Sequence, residues 1–239
     1  MYLLDLTFKT PQENLACDEA LLDLCEEDQG PEVLRFWESD RNFVVVGYSN
    51  KIRIETHLES CLKDKVPVLR RPSGGGTVLQ GPGCLNYALI LKIPSTGPLT
   101  NLTQTNNYIL NKHKEALNPL LNSQAVISGI SDLALGPLKF SGNAQRRKKG
   151  AILFHGTFLY NFDLEKIEQW LAFPSKQPDY RENRSHLNFV TNIPLKPNQI
   201  KKNLGKIWQA EKELEKIPGQ KIEELVQEKY SNEDWNGKY

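Results

Sequence analysis

Three consecutive glycines, Gly74–Gly76, stand between two β-rich segments in VPVLRRPSGGGTVLQGPGCLNYALILKI (residues 66–93). A chain with this stretch has to arrive on a strand, cross a loop without side chains and leave on another strand. Glycine weakens a strand and is kept where a second backbone or a ligand must come close. Backbone N–H groups with no side chain over them can converge on an anion. The loop is not a P-loop, because no Gly-Lys-Ser/Thr follows, and it lacks the G-x-G-x-x-G dinucleotide spacing. Taken alone it reads equally as a plain turn or as a phosphate or carboxylate site. Arg70 and Arg71 lead into it, and successive strand residues face opposite sides, so only one can join the loop. A guanidinium beside free N–H groups suits an oxyanion; the alternative is a solvated arginine next to a turn.

The rest of the chain alternates between helical and strand patterns. ENLACDEALLDLCEE (Glu13–Glu27) predicts a helix with Asn14 as its cap, and VLRFW and NFVVVGY, separated by ESDR, predict a hairpin. A short helix over Glu55–Lys65 precedes the strand that delivers the glycines. In CLNYALILKI, Leu85, Tyr87, Leu89 and Leu91 share one face, which turns Asn86 to the other. A helix over Leu102–Leu117 follows, then strands at Ala125–Ser128, Leu138–Asn143 and Ala151–Asn161, then a short helix at Leu164–Phe173. PSKQPDYRENRSHLN is polar and rich in breakers and reads as a surface loop; from Pro197 the chain is charged and helical. Interspersed elements with several hairpins predict an α/β or α+β fold with a mixed sheet rather than a doubly wound parallel one, in one domain spanning residues 1–239.

The second chemically loaded segment is GPLKFSGNAQRRKKGAILFHGTFL (Gly136–Leu159). Lys139 and Ser141 are two apart in a strand, which predicts that they face the same way. RRKKG reads as a hairpin tip. Further on, Leu153, His155 and Thr157 share one face and Phe154 and Phe158 the other, a pattern that leaves His155 equally a core or a site residue. Asp132 is open to capping, pairing with an arginine or holding a cation.

Composition excludes several classes. Lys plus Arg is 30 and Asp plus Glu 29, so nothing predicts nucleic-acid or membrane-surface binding. No apolar run approaches the ~20 residues that span a bilayer, and the N-terminus has no signal-peptide pattern. Cys17, Cys25, Cys61 and Cys84 form no C-x-x-C pair and read as reduced thiols in a cytoplasmic protein, with no metal site among them.

Together RRPSGGGTV, GCLNYAL and LKFSGNAQRRKKGAILFHGTFL resemble lipoate-protein ligase A, within the wider biotin/lipoate ligase superfamily. The family pattern runs R-R-x-S-G-G-G-[AT]-V, then K-[VFI]-[SA]-G-[SN]-A, then H-G-T. The likeness starts near NLACDEAL, takes in FVVVGYSNK, DLEKIEQWL and HLNFVTN, and reaches DWNGKY, so it covers nearly the whole chain. The resemblance implies an α/β catalytic domain with a mixed, largely antiparallel sheet flanked by helices. It implies that lipoate or octanoate is activated with ATP and Mg²⁺ as acyl-AMP, then passed to a lysine of a lipoyl carrier domain. Such carriers are the E2 subunits of 2-oxoacid dehydrogenases and the glycine cleavage H protein. Carried over by motif, Arg71, Ser73, Gly74, Gly75, Gly76, Thr77, Val78 and Leu79 would line the acyl-adenylate. Lys139 would be the catalytic lysine that contacts both acyl carbonyl and phosphate. Asn86, Ser141, Gly142, His155 and Gly156 fall in the same motifs.

Two departures qualify the resemblance. Octanoyltransferases of the superfamily carry an acyl-thioester on a cysteine upstream or downstream of the lysine, whereas here SDL stands upstream and no cysteine follows Lys139. Many ligases also carry a small C-terminal domain that assists adenylation; its absence from this sequence leads to the expectation of a self-sufficient domain, a separate accessory subunit, or use of preformed acyl-AMP. The rival readings are a lipoyl or octanoyl transferase acting without ATP, a biotin ligase, and a non-enzymatic binder of acyl-adenylate or carrier protein.

Overall fold

The period-two pattern of Cys84–Lys92 is realised as a nine-residue strand whose two faces enter different cores. In the computed structural model, which describes residues 1–239, the elements run β1 (Tyr2–Asp5), α1 (Pro11–Glu26), β2 (Val33–Trp37), β3 (Phe43–Val46), α2 (Ile52–Glu55), α3 (Leu58–Lys63), β4 (Val68–Arg70), β5 (Val78–Gln80), β6 (Cys84–Lys92), α4 (Leu102–Leu117), β7 (Ala125–Ser128), β8 (Asp132–Leu135), β9 (Leu138–Arg147), β10 (Ala151–Leu159), α5 (Glu165–Trp170), α6 (Pro197–Ile207), β11 (Lys212–Glu213), α7 (Gly219–Leu225) and α8 (Glu233–Asn236). Eight strands form one sheet in the order β11-β1-β2-β6-β10-β9-β8-β7, and β4-β3-β5 form a second. Only β1 with its two neighbours and β3 with β4 pair in parallel. The sheet is mixed and mostly antiparallel, as expected.

Leu85, Tyr87, Leu89 and Leu91 of β6 pack with Phe154 and Phe158 of β10 against α4 and α6, through Ile109, Leu110, Ile200 and Leu204. The opposite face presents Ala88, Ile90 and Leu153 to α1 and to Phe43, Val45 and Leu69 of the small sheet. Full burial of each such Leu, Ile or Phe contributes about 1.5–3 kcal/mol, so the two cores fix which way every residue of β6 and β10 points. Asn86, His155 and Thr157 are thereby turned to the small-sheet side.

Several sequence expectations need correction. VLRFW and FVVV do not form a hairpin: β2 pairs with β1 and β6 in the large sheet, while β3 is the centre of the small one. Both strands are buried throughout, and a buried pair without alternation has no solvent face to fix its partner. Helix α1 starts at Pro11, with Thr10 as cap in a reciprocal capping box with Glu13. Asn14 instead binds Phe8 by its amide and accepts from Arg35. The predicted helix at 55–65 is two short helices, α2 and α3, and strand β8 was not anticipated. Helix α4, strand β7, the hairpin tip after Arg147 and the start of α6 at Pro197 agree with the sequence reading.

Candidate active site

Arg71 organises the glycine loop. It is 6% exposed, and it donates from Nε to Ser73 Oγ (3.1 Å), from Nη1 to the Val45 carbonyl (3.2 Å) and from Nη2 to the carbonyls of Gly74 and Gly76 (2.7 Å each). Burial pulls its pKa down to about 10. A trans peptide sets each N–H opposite the preceding carbonyl. With the Gly74 and Gly76 carbonyls drawn to the guanidinium, the N–H groups of Gly75 and Thr77 face away from it. None of the N–H groups of Gly74–Thr77 donates within the chain. The loop therefore presents unengaged donors on the side opposite Arg71, as an anion cradle requires. Gly75 has φ +88°, and a Cβ there would stand 3.0 Å from Arg71 Nη2, whereas side chains at Gly74 or Gly76 would enter open space. The sequence reading set Arg71 beside the loop to meet an oxyanion; its guanidinium is instead held within the chain by four hydrogen bonds, three to the loop and one to Val45.

His155 extends this arrangement. Its Nε2 lies 2.6 Å from Ser73 Oγ. Since Arg71 Nε donates to that oxygen, the Ser73 hydroxyl is oriented to donate to the imidazole. Burial, reinforced by the Arg71 charge, lowers the His155 pKa to about 3, so the ring is a neutral acceptor. His155 is a part of the loop's support rather than a proton shuttle.

Lys139 stands on the opposite wall. In β9 the register against β8 slips: Leu133 pairs with Ser141 and Ala134 with Lys139, leaving Phe140 as an extra residue. This β-bulge reverses the alternation between Lys139 and Ser141. Ser141 sides with Phe158 and the α4 core, buried, its hydroxyl donating to Asn143 Oδ1 at 3.3 Å. Lys139 instead lies over Gly142, where a Cβ would come within 2.8 Å of its Nζ. The expectation that Lys139 and Ser141 face the same way is thus overturned; Gly142 is the residue that shares the lysine's side.

Lys139 Nζ pairs with Asp132 Oδ1 at 2.8 Å, and Tyr180 donates to the other carboxylate oxygen at 2.8 Å. Burial and the Asp132 charge raise the Tyr180 pKa, which keeps its hydroxyl a donor. The backbone of Lys139 is also gripped, its N–H donating to Phe189 and its carbonyl accepting from Thr191. The polar stretch 174–188 is therefore attached to the site through Tyr180, and Phe189 and Thr191 just beyond it hold the main chain of Lys139. Nothing in its composition signalled that.

Between the walls lies a cleft of about 800 Å³ lined by Arg71, Gly75–Leu79, Asn86, Lys139, Ser141, Gly142, His155 and Gly156 among the expected residues, with Ser73 and Gly74 outside its lining. Its apolar end is formed by Leu15, Trp37, Val45 and Val78. A polar relay missed by the sequence reading crosses the floor: Gln80 donates to Thr157 Oγ1, and Thr157 to Asn86 Oδ1, both at 2.7 Å. Thr157 pairs across the sheet with both Asn86 and Gly142, a contact visible only once the strand order is known. No cysteine lines the cleft; all four are buried, and burial pushes the Cys84 thiol up. An apolar slot leading to a cation and an N–H cradle suits an acyl chain whose carboxyl end is joined to a phosphate. No helix is long and apolar enough to cross a membrane.

The chain is similar to several known proteins. The family described as lipoyl protein ligase A/B catalytic domain matches residues 10–201. The protein named probable lipoate-protein ligase A of Mycoplasma genitalium is 34% identical over 163 residues, covering 67% of this chain and 46% of that protein. Octanoyltransferase LipM of Halalkalibacterium halodurans is 24% identical over 263 residues, 95% of each chain. Among solved structures, the bi-partite lipoate protein ligase of Thermoplasma acidophilum superposes with a TM-score of 0.82 at 23% identity, covering 99% of this chain and 95% of that one. A lipoate-protein ligase A bound with ATP gives 0.79 at 24% identity, covering 99% and 98%. These likenesses establish the fold.

Proposed function

Given that the chain belongs to the lipoyl protein ligase A/B catalytic-domain family, we propose that it is a lipoate–protein ligase. It activates lipoate or octanoate with ATP and transfers the acyl group to a lysine of a lipoyl domain. The observation that carries this reading is Lys139 facing the unengaged N–H groups of Gly75–Thr77 across an apolar-ended cleft from which cysteine is absent.

In the first half-reaction a carboxylate oxygen of the acid displaces pyrophosphate at the α-phosphorus. In the second, the neutral amine of the acceptor lysine attacks the acyl carbonyl carbon, the C–O bond to AMP breaks, and the amine loses its proton as the amide forms. Lys139 neutralises the phosphate and stabilises the negative charge that develops on the carbonyl oxygen. A fixed cation in a partly dry site contributes on the order of 10²–10³ in rate. The glycine-loop N–H groups hold the phosphate, and Arg71, Ser73 and His155 hold the loop. No group of three or more metal-ligand side chains comes together in the chain. Magnesium would be carried largely by phosphate oxygens, the manner usual for this ion, and Asp132 is the carboxylate that would take part in holding it. When bound it would neutralise the triphosphate.

The second reading is an acyl transferase that works without ATP, and the similarity to octanoyltransferases favours it. Against it stands the burial of every thiol away from the cleft. The acceptors we propose are lipoyl domains of 2-oxoacid dehydrogenase E2 subunits and glycine cleavage H protein, and a separate accessory subunit for adenylation is part of the proposal. The test is incubation with ATP, Mg²⁺, lipoate and an apo lipoyl domain, following pyrophosphate and acceptor mass. Pyrophosphate release with lipoylated acceptor supports the ligase. Modification from an acyl-carrier thioester alone, with none from lipoate and ATP or from lipoyl-AMP, supports the transferase.

A further inference from the structure

Arg70, the other half of the arginine pair, is fully buried and faces away from the cleft toward the last residues of the chain. We infer that Glu233–Tyr239 is a working part of the substrate cradle, holding the glycine loop in place through Arg70; this rests on the acyl-adenylate reading above. β4 is an edge of the small sheet, and an edge strand leaves main-chain groups unpaired. Here the segment covers them. Asn236 Oδ1 accepts from the Arg70 N–H at 3.0 Å, and Trp235 Nε1 donates to the Arg70 carbonyl at 2.9 Å. The carbonyls of Trp235 and Asn236 accept from the Arg70 Nε, and that of Asn236 also from Nη2.

The remaining end of the guanidinium carries the effect to the site. Arg70 Nη1 donates to the carbonyls of Gly47, Tyr48 and Asn50, at 2.8–3.0 Å. That turn touches the glycine loop at three points. Tyr48 N–H donates to the Ser73 carbonyl at 2.9 Å. Asn50 donates to Thr77 Oγ1 at 3.2 Å. Gly47 lies so close to the Gly75 carbonyl that any Cβ would collide with it. The path from the C-terminal segment to the anion cradle is thus α8, Arg70, turn 47–50 and loop 73–77, with hydrogen bonds at every junction. The segment lies outside the residues matched to the family domain, yet it is tied to the loop that defines that family's site. Trp235 and Asn236 are positioning residues: they lie outside the lining of the cleft and act through Arg70.

The experiment uses the full chain with Asn236→Ala, which removes the acceptor for the Arg70 N–H and a donor to the Tyr230 carbonyl, and Trp235→Phe, which keeps an aromatic ring but removes the indole donor and part of the packing on Tyr48 and Lys229. KM and kcat are measured for transfer from synthetic lipoyl-AMP to an apo lipoyl domain, and amide hydrogen exchange is followed at Tyr48 and along β6. We expect KM to rise roughly tenfold in Asn236→Ala, the scale of one lost buried hydrogen bond, and less in Trp235→Phe, with kcat nearly unchanged. The Tyr48 amide should exchange faster while β6 keeps its protection. Wild-type KM with wild-type Tyr48 exchange would overturn the inference, as would equal loss of protection at Tyr48 and β6, which marks general destabilisation. If the unaltered chain transfers nothing, the proposed function fails, and Tyr48 exchange alone still decides whether the segment holds the loop.

Discussion

On the glycine-loop wall, Arg71 makes four hydrogen bonds inside the chain and His155 is a neutral acceptor for Ser73. On the facing wall, Lys139 holds its charge on a 24%-exposed side chain paired with Asp132, which Tyr180 also binds. Both walls place a cation beside the cleft, but only one of the cations is available. A guanidinium engaged by three backbone carbonyls and a hydroxyl shapes a loop; an ammonium held by one exchangeable carboxylate can turn to a substrate. Charge close to a pocket therefore does not identify a catalytic group until its existing partners are counted.

Removing the exchangeable cation should have the largest effect. Lys139→Ala is expected to lower transfer from lipoyl-AMP on the order of 10²–10³-fold with the circular dichroism of the fold retained. Lys139→Arg should fail similarly, because a planar fork does not replace a point ammonium. Transfer at near wild-type rate by the alanine variant would remove Lys139 from the chemistry.

Arg71→Lys attacks the other wall. One ammonium cannot serve Ser73, Val45, Gly74 and Gly76 together, and each buried carbonyl left unpaired costs about 1–3 kcal/mol. The expected outcome is a KM for lipoyl-AMP raised roughly 10- to 100-fold, on the same cost scale, together with lower thermal stability. If kcat fell as it does for Lys139→Ala with KM intact, Arg71 would belong with the catalytic groups and the contrast between the walls would collapse.

A subtler change is Tyr180→Phe, which frees one Asp132 oxygen without touching Lys139. Losing one hydrogen bond to a carboxylate should slow transfer by about three- to tenfold. Unaltered kinetics would show that Asp132 is positioned well enough by Lys139 alone.

A further effect concerns acid stability. His113 is buried with neither ring nitrogen hydrogen-bonded, among Tyr87, Phe158 and Trp208, and burial lowers its pKa to about 3. Its folded pKa lies below the unfolded value of about 6.5, so stability is complete above that pH and falls as pH drops toward 3. Each histidine of this kind gives a slope of up to about 1.4 kcal/mol per pH unit. His113→Leu should flatten the slope by one proton, and His155 supplies a second such proton that remains. Denaturant titrations at pH 7, 6 and 5 measure it; an unchanged slope would mean that His113 titrates alike in both states.

The sequence was most informative where side-chain periodicity and backbone demands coincide. The alternation of β6 and β10, and the glycine loop with one arginine turned toward it, were legible because buried faces and missing side chains leave patterns in local sequence. The buried strands β2 and β3 were misjoined because a strand covered on both faces carries no alternation to name its partner. The direction of Ser141 relative to Lys139 was misjudged because a β-bulge has no reliable local signature, yet it reverses the side chains beyond it. Asp132 had been left open among three roles, Thr157 and Asn143 were read only as members of a strand face or a motif, and Gln80 and Tyr180 were not seen. Their partners lie far away in sequence, and no spacing rule connects residue 132 to residue 180.

The central claim is that acyl transfer proceeds directly from the adenylate across Lys139, without a thioester on the enzyme. The most direct test is a single-turnover reaction of synthetic lipoyl-AMP and apo lipoyl domain with a chain in which Cys17, Cys25, Cys61 and Cys84 are all replaced by alanine or serine. Stoichiometric lipoylation at a rate close to that of the unaltered chain, with no acyl group on the enzyme by mass, is the predicted result. Loss of transfer by the folded variant, together with an acyl-thioester trapped on the unaltered chain, would contradict it.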